Sequence, residues 1–267
     1  MTKQLFAERV ARELNGTVKT TEKANGIVLT GVVVGDGSVK AVYYIDDYYD
    51  RGDNINDTVE CIKRDASERD VPTLNIDSIV IFEDIKDKIR ARLYNAKTNA
   101  EVYKSAKEYG FSDLIIVPYI ENIISNGSIR ITHGLLDTWN KTAEEVIEIG
   151  MENCKNDNYE MTNISDLLRM MSVKNNYDCG DIPDVPDLFV LTSKSGMFGS
   201  IGAIIMQDML KEKFGTYVVV PSSIHEVLIY STVIGDNEML KMNNIINQVN
   251  STNVLPEEYL GSKAYIF

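Results

Sequence analysis

The chain has 267 residues, of which 44% are hydrophobic and 25% charged. That balance excludes a disordered polar chain and supplies apolar material for one large core or two small ones. Its 40 acidic residues against 27 basic give a net charge of −13 with histidine neutral; a surface of that sign argues against direct binding of nucleic acid or an anionic membrane and suits a basic protein partner.

Read in chain order, Phe6, Val10 and Leu14 fall at helical spacing with Leu5 beside them, and Asn15-Gly16 supplies a stop, so an amphipathic helix opens the chain. Extended runs at 17–24 and 27–34 flank Asn25-Gly26, the preferred two-residue hairpin turn, because both positions tolerate positive φ. A third run at 39–45 follows Gly35-Asp36-Gly37. Next comes a helix with Asn56 as cap and Ile55, Val59, Ile62 and Ala66 on one face. Residues 76–96 read as helical, although Ile79-Val80-Ile81-Phe82 also suits a strand.

The order then recurs: an apolar run at 114–120, a turn at Asn126-Gly127, a strand at 129–132, and a helix with Thr142 and Glu145 at capping-box spacing. That helix puts Ala143, Val146, Ile147, Gly150 and Cys154 on one face. Strands are expected at 188–192, 217–220 and 227–231, with a Gly-rich stretch and a helix ending at Phe214-Gly215 in between. Asp236 caps a final helix carrying Met239, Met242, Ile246 and Val249, and 264–267 closes the chain as a short strand. Short hairpin turns imply antiparallel sheets, so the expected fold is α+β, built from repeated hairpin-plus-helix units. The Asn, Asp, Gly180, Pro183 and Pro186 cluster divides it into an N-terminal lobe at 1–174, a linker at 175–186 and a C-terminal lobe at 187–267.

No secretory signal or bilayer-long apolar run is visible, and Cys61, Cys154 and Cys179 form no close pair. Three free thiols in a reducing cytoplasm are therefore expected. Trp139 and the methionines at helical spacing read as core packing.

Three stretches bear on chemistry. In Pro221-Ser222-Ser223-Ile224-His225-Glu226, Ser223 and His225 would share one face of a strand, which suits a nucleophile and its base. No oxyanion hole or orienting third group is legible, and a strand-connecting corner is the favoured reading. Between a strand and a helix, Lys194, Gly196 and Gly199 offer a loop whose backbone N–H groups suit a phosphate. Its spacing matches neither standard phosphate-binding pattern, and a hairpin tip is preferred. Asp46, Asp47, Asp50 and Asp53 crowd a run dense enough for a divalent cation, but the register is not that of an EF-hand and the closing Glu is missing. A structural turn is preferred there, and no metal or cofactor is expected.

Several blocks, taken in order, resemble DUF5688, a bacterial family of uncharacterised proteins. They are Val42-Tyr43-Tyr44-Ile45-Asp46-Asp47-Tyr48-Tyr49, residues 131–139 with Thr142-Ala143-Glu144-Glu145, residues 187–215, the 221–227 block, and 249–265 with Pro256-Glu257-Glu258. The resemblance implies a mobile-element-associated cytoplasmic protein. It brings no assigned activity, so it assigns no residue a role, but it marks 221–226 as a family signature. The expected function is a non-enzymatic interaction module, an acidic inhibitor or decoy of a basic nucleic-acid-binding protein. The alternatives are a hydrolase or transferase using His225 with Ser223 or Glu226, and a small-ligand sensor built on residues 196–202.

Overall fold

The computed structural model describes residues 1–35, 40–68, 76–98, 100–121, 127–174, 184–232, 235, 240, 244, 254–261 and 263–267. Thr2 caps α1 (Lys3–Glu13) by accepting the Leu5 N–H, and the helix turns Phe6, Ala7, Val10 and Ala11 inward. Strands β1 (Thr17–Glu22), β2 (Val28–Val34) and β3 (Ala41–Tyr44) form an antiparallel sheet in that order. Asn25 and Gly26 do take positive φ, at 61° and 71°. The expected two-residue turn is nevertheless wider, closed at 23–27 by the Lys23 N–H on the Ile27 carbonyl. The added length lets Ala24 join a core built elsewhere and lets the Asn25 carboxamide donate to the carbonyls of Pro256 and Tyr259, both at 2.8 Å. Helix α2 (Asp46–Arg51) ends at Gly52, and α3 (Ile55–Glu68) is capped by Asn54, whose Oδ1 accepts the Asp57 N–H; the expected cap, Asn56, lies inside the helix. One hydrophobic cluster of buried residues is drawn entirely from residues 6–62.

The stretch expected as one helix at 76–96 divides into α4 (Ile76–Val80), α5 (Phe82–Ile85) and β4 (Ile89–Asn95). The cause is a change of period: from Ile89 onward Ile89, Ala91 and Leu93 alternate with Arg90, Arg92 and Tyr94, which suits a strand. Strand β5 (Lys104–Ser105) and the long β6 (Leu114–Glu121) follow, then β7 (Ser128–Arg130); β6 pairs with all three, antiparallel. Asn126 of the expected turn lies outside the described residues. Helix α6 (His133–Trp139) buries Trp139, whose indole N–H donates to the Ile79 carbonyl at 2.9 Å. Helix α7 (Ala143–Cys154) has the expected capping box and buries Val146, Ile147, Gly150 and Cys154. A Cβ on Gly150 would meet the Arg90 carbonyl carbon at 3.1 Å, so glycine there lets α7 lie close on β4.

The third sheet runs β12-β10-β11-β9-β8, from β8 (Tyr159–Asn163), β9 (Leu188–Ser193), β10 (Val218–Val220), β11 (Glu226–Tyr230) and β12 (Tyr265–Ile266). Helix α8 (Ile164–Lys174) follows β8, while α9 (Gly202–Ile205) and α10 (Gln207–Phe214) lie between β9 and β10. The unanticipated strand β8 pairs over five residues with β9. A sheet therefore bridges the division drawn at 175–186, and the largest core mixes Leu93, Ile116 and Ile147 with Leu191, Val219 and Ile229. Apolar residues on both sides of the proposed linker thus bury one another. Among the described residues the three sheets also differ in strand order. The expected final helix and Cys179 fall largely or wholly outside the described residues; Cys61 and Cys154 are free thiols. Among the described residues no helix is long and apolar enough to cross a membrane.

Candidate functional site

Pro221 follows β10, and the chain turns a corner whose polar groups are taken up locally. The Ser223 hydroxyl accepts the backbone N–H groups of His225 at 3.2 Å and Glu226 at 3.3 Å. Ile224 donates to the Glu258 carbonyl and Leu260 to that of Ser222, which fastens the C-terminal segment to the corner. From the β9 side, the Gly199 N–H and the Thr192 hydroxyl both donate to the His225 carbonyl at 2.9 Å, and the Ser200 hydroxyl donates to that of Ile224.

The His225 ring is held as firmly. Its Nδ1 accepts the Phe198 N–H at 3.1 Å, and its Nε2 lies 3.2 Å from Glu258 Oε1. A ring accepting at Nδ1 carries its proton on Nε2, which then donates to Glu258. The expected pairing of His225 with Ser223 is thus replaced: the serine oxygen serves its own turn, and the imidazole bridges Phe198 and Glu258. The neighbouring Glu226 carboxyl is pushed above its ordinary range by burial, an effect the nearby His225 partly opposes.

Behind the corner is an arrangement the sequence did not announce. Phe198 adopts a left-handed backbone, φ 54° and ψ 27°, and its ring centroid lies 3.3 Å from the Arg92 guanidinium and 5.2 Å from the His225 ring. Arg92 is buried, also lies 4.2 Å from the Tyr119 ring centroid, and donates from Nε and Nη2 to Glu121 Oε1 at 3.1 and 2.9 Å. Tyr119 stacks on Tyr94. Nothing in the local sequence marks Arg92 as buried, since it alternates with the apolar Ala91 and Leu93 and its partners Phe198 and Glu121 lie far along the chain.

The Gly-rich loop directs its backbone donors into the fold. The N–H of Lys194 donates to the Asn158 carbonyl, Gly196 to Ser193, Gly199 to His225 and Ser200 to Ile224. That of Met197 goes to the Ser193 hydroxyl and that of Phe198 to His225. These donors are turned into the fold, so an anion would have to displace them. The glycines serve geometry: Gly196 sits at φ 73°, and a Cβ on Gly199 would lie 2.1 Å from the Ser193 nitrogen. Exposed Lys194 borders an open polar cavity of about 310 Å³ with Arg90, Glu121, Cys154 and Asp157. Arg90 Nε reaches both Asp157 oxygens at 3.1 Å. Burial raises the Asp157 carboxyl despite that arginine, and burial pushes the Cys154 thiol up to about 12.

The acidic run is also architectural. Asp46 accepts the Thr30 N–H at 2.8 Å and the Lys3 ammonium at 3.0 Å; Lys3 also lies 3.5 Å from Asp50. Arg51 holds Asp53 at 2.8 Å, and Asp47 is exposed. Among the described residues no group of three His, Cys, Asp or Glu side chains is placed to hold a metal ion.

Among the described residues three antiparallel sheets with helices, two of them joined where the buried Arg92 meets Phe198 beside the His225 corner, define an α+β protein. The chain belongs to DUF5688, a family of unknown function, which matches residues 2–267. No curated protein and no solved structure is significantly similar to it.

Proposed function

We propose that the protein acts by binding, not by chemistry, and that it engages a basic protein partner in the bacterial cytoplasm. The observation that carries this reading is the state of His225, with Nδ1 on the Phe198 N–H and Nε2 facing Glu258. A general base needs a lone pair free to take a nucleophile's proton, and here a backbone donor holds it. The net charge of −13 favours a cationic partner. In its finer form the protein is an acidic inhibitor or decoy carried by a mobile element. Its carboxylates would compete with phosphates for the Lys and Arg of a nucleic-acid-binding protein.

The test has two arms. Capture from a bacterial lysate with salt elution should enrich proteins of pI above about 9. Ester, phosphodiester and peptide substrates should be turned over no faster by the wild type than by His225→Ala. Turnover that disappears in a His225→Ala variant of unchanged melting temperature would overturn the reading, as would capture without basic proteins.

A further inference from the structure

Helix α7 carries two adjacent rows of side chains. Glu144, Glu148 and Glu152 recur every four residues, and Ile147 and Met151 follow the same interval beside them, so a strip of carboxylates runs along an apolar strip. Across from them, α9 and α10 present Ile204, Ile205 and Asp208. The two sides border a groove of about 400 Å³, closed near Tyr109, whose carbonyl accepts from the Gln207 carboxamide at 3.1 Å. Ile147 and Ile204 are buried in its floor, while Met151 and Ile205 remain half-buried.

The charges on the groove are unevenly matched. Lys104 is held by Glu108 at 2.7 Å with Glu144 at 3.8 Å, and Lys155 by Glu152 at 2.6 Å. Both lysines that line it are therefore already paired with carboxylates. Glu148 and Asp208, one on each wall, are exposed and have no cationic partner among the described residues. The field of Glu148 reaches inward: burial first, then Glu108 and Glu148, push the Tyr109 phenol upward against the opposing Lys104.

We propose that this groove is the docking site for a basic amphipathic segment of the partner protein. Such a segment lays apolar side chains on Met151 and Ile205 and sets Lys or Arg against Glu148 and Asp208. The inference rests on the binding reading above and assigns it a place. An apolar floor between two unneutralised acidic walls is complementary to a segment with one apolar and one cationic face. A volume of about 400 Å³ accommodates one or two large side chains and no folded domain.

The probe is a fluorescein-labelled helical peptide of Leu, Lys and Ala, about 15 residues long, with Leu and Lys on adjacent faces. Fluorescence anisotropy with the full chain should show binding that weakens with salt. Glu148→Lys with Asp208→Lys should weaken it about tenfold or more, and Met151→Gln severalfold, with melting temperatures near that of the wild type. Asp47→Lys with Asp50→Lys, distant acidic changes, should leave affinity within about twofold. If the peptide binds wild type and groove variants alike, or the Asp47 and Asp50 changes abolish binding, the groove assignment fails while the basic-partner reading stands. If no salt-sensitive binding occurs, both fail. If light scattering finds a wild-type dimer that the groove charge reversals dissociate, the groove takes a second copy of this chain and the proposal is overturned.

Discussion

Arg92 sets its guanidinium 3.3 Å from the centroid of the Phe198 ring. The two residues come from different sheets' surroundings, β4 of the β4–β7 sheet and the loop after β9, so the contact ties one sheet to the other. A non-glycine residue in the left-handed region costs on the order of 1–2 kcal/mol. Phe198 offsets that cost with the ring contact and with its N–H on His225. Replacing Arg92 by Lys keeps the charge but loses the planar stack and the two-donor grip on Glu121. Arg92→Lys should lower unfolding free energy by roughly 2–4 kcal/mol in urea titrations. A loss below about 0.5 kcal/mol would mean that the stack does not hold the loop.

Gly196 and Gly199, three positions apart, should respond unequally to alanine. At Gly196 nothing lies within 4 Å of an added Cβ, and only the φ of 73° is unfavourable, so the cost is about 1 kcal/mol. At Gly199 the Cβ would sit 2.1 Å from the Ser193 nitrogen. Backbone must move, which costs roughly 3 kcal/mol or more or leaves the protein insoluble. Melting curves of the two variants side by side check the ranking.

Glu226 supplies a pH test. Burial raises its folded-state carboxyl above the ordinary 4.5, so the folded form binds the proton more tightly than the unfolded chain does. The stability from that proton is fully present below the unfolded value and is lost as pH rises through the raised one. Glu226→Gln removes the burden of the buried charge. The variant should melt above the wild type near pH ~7, and the gap should close near pH ~4. A gap that is constant with pH would show that the glutamate is not titrating in this way.

The domain division is open to a fragment experiment. Residues 187–267 alone lack β8 and the face of β4 and β6 that buries Leu191 and Ile229. That fragment should be unfolded by circular dichroism or aggregate. Residues 1–68 contain every buried member of their own hydrophobic cluster and should show a sigmoidal urea transition. A folded 187–267 fragment would restore the boundary at 175–186.

What was legible in the chain followed from local signals. Thr142 and Glu145 announced their helix because a capping box is made within four residues. Pro221 announced the end of β10, and the two serines after it the corner. The missed elements depend on distant partners. β4 was hidden because Arg90 and Arg92 interrupt its apolar residues, and the reason for an inward arginine, Phe198 and Glu121, lies far along the chain. β8 reads Tyr-Glu-Met-Thr-Asn, too short and mixed to stand out from a loop, and it becomes a strand by pairing with β9. The groove beside α7 was equally hidden, since its second wall comes from α9 and α10.

The hairpin tip has a consequence for how the molecule comes apart. Chains with separate hydrophobic cores commonly melt in separate steps. Here Ala24 is buried in the larger core while Asn25 hydrogen-bonds Pro256 and Tyr259, which flank the Glu258 that meets His225. Heat that loosens the histidine corner therefore also releases the N-terminal hairpin. The number of peaks in a calorimetric scan becomes sensitive to a single carboxamide.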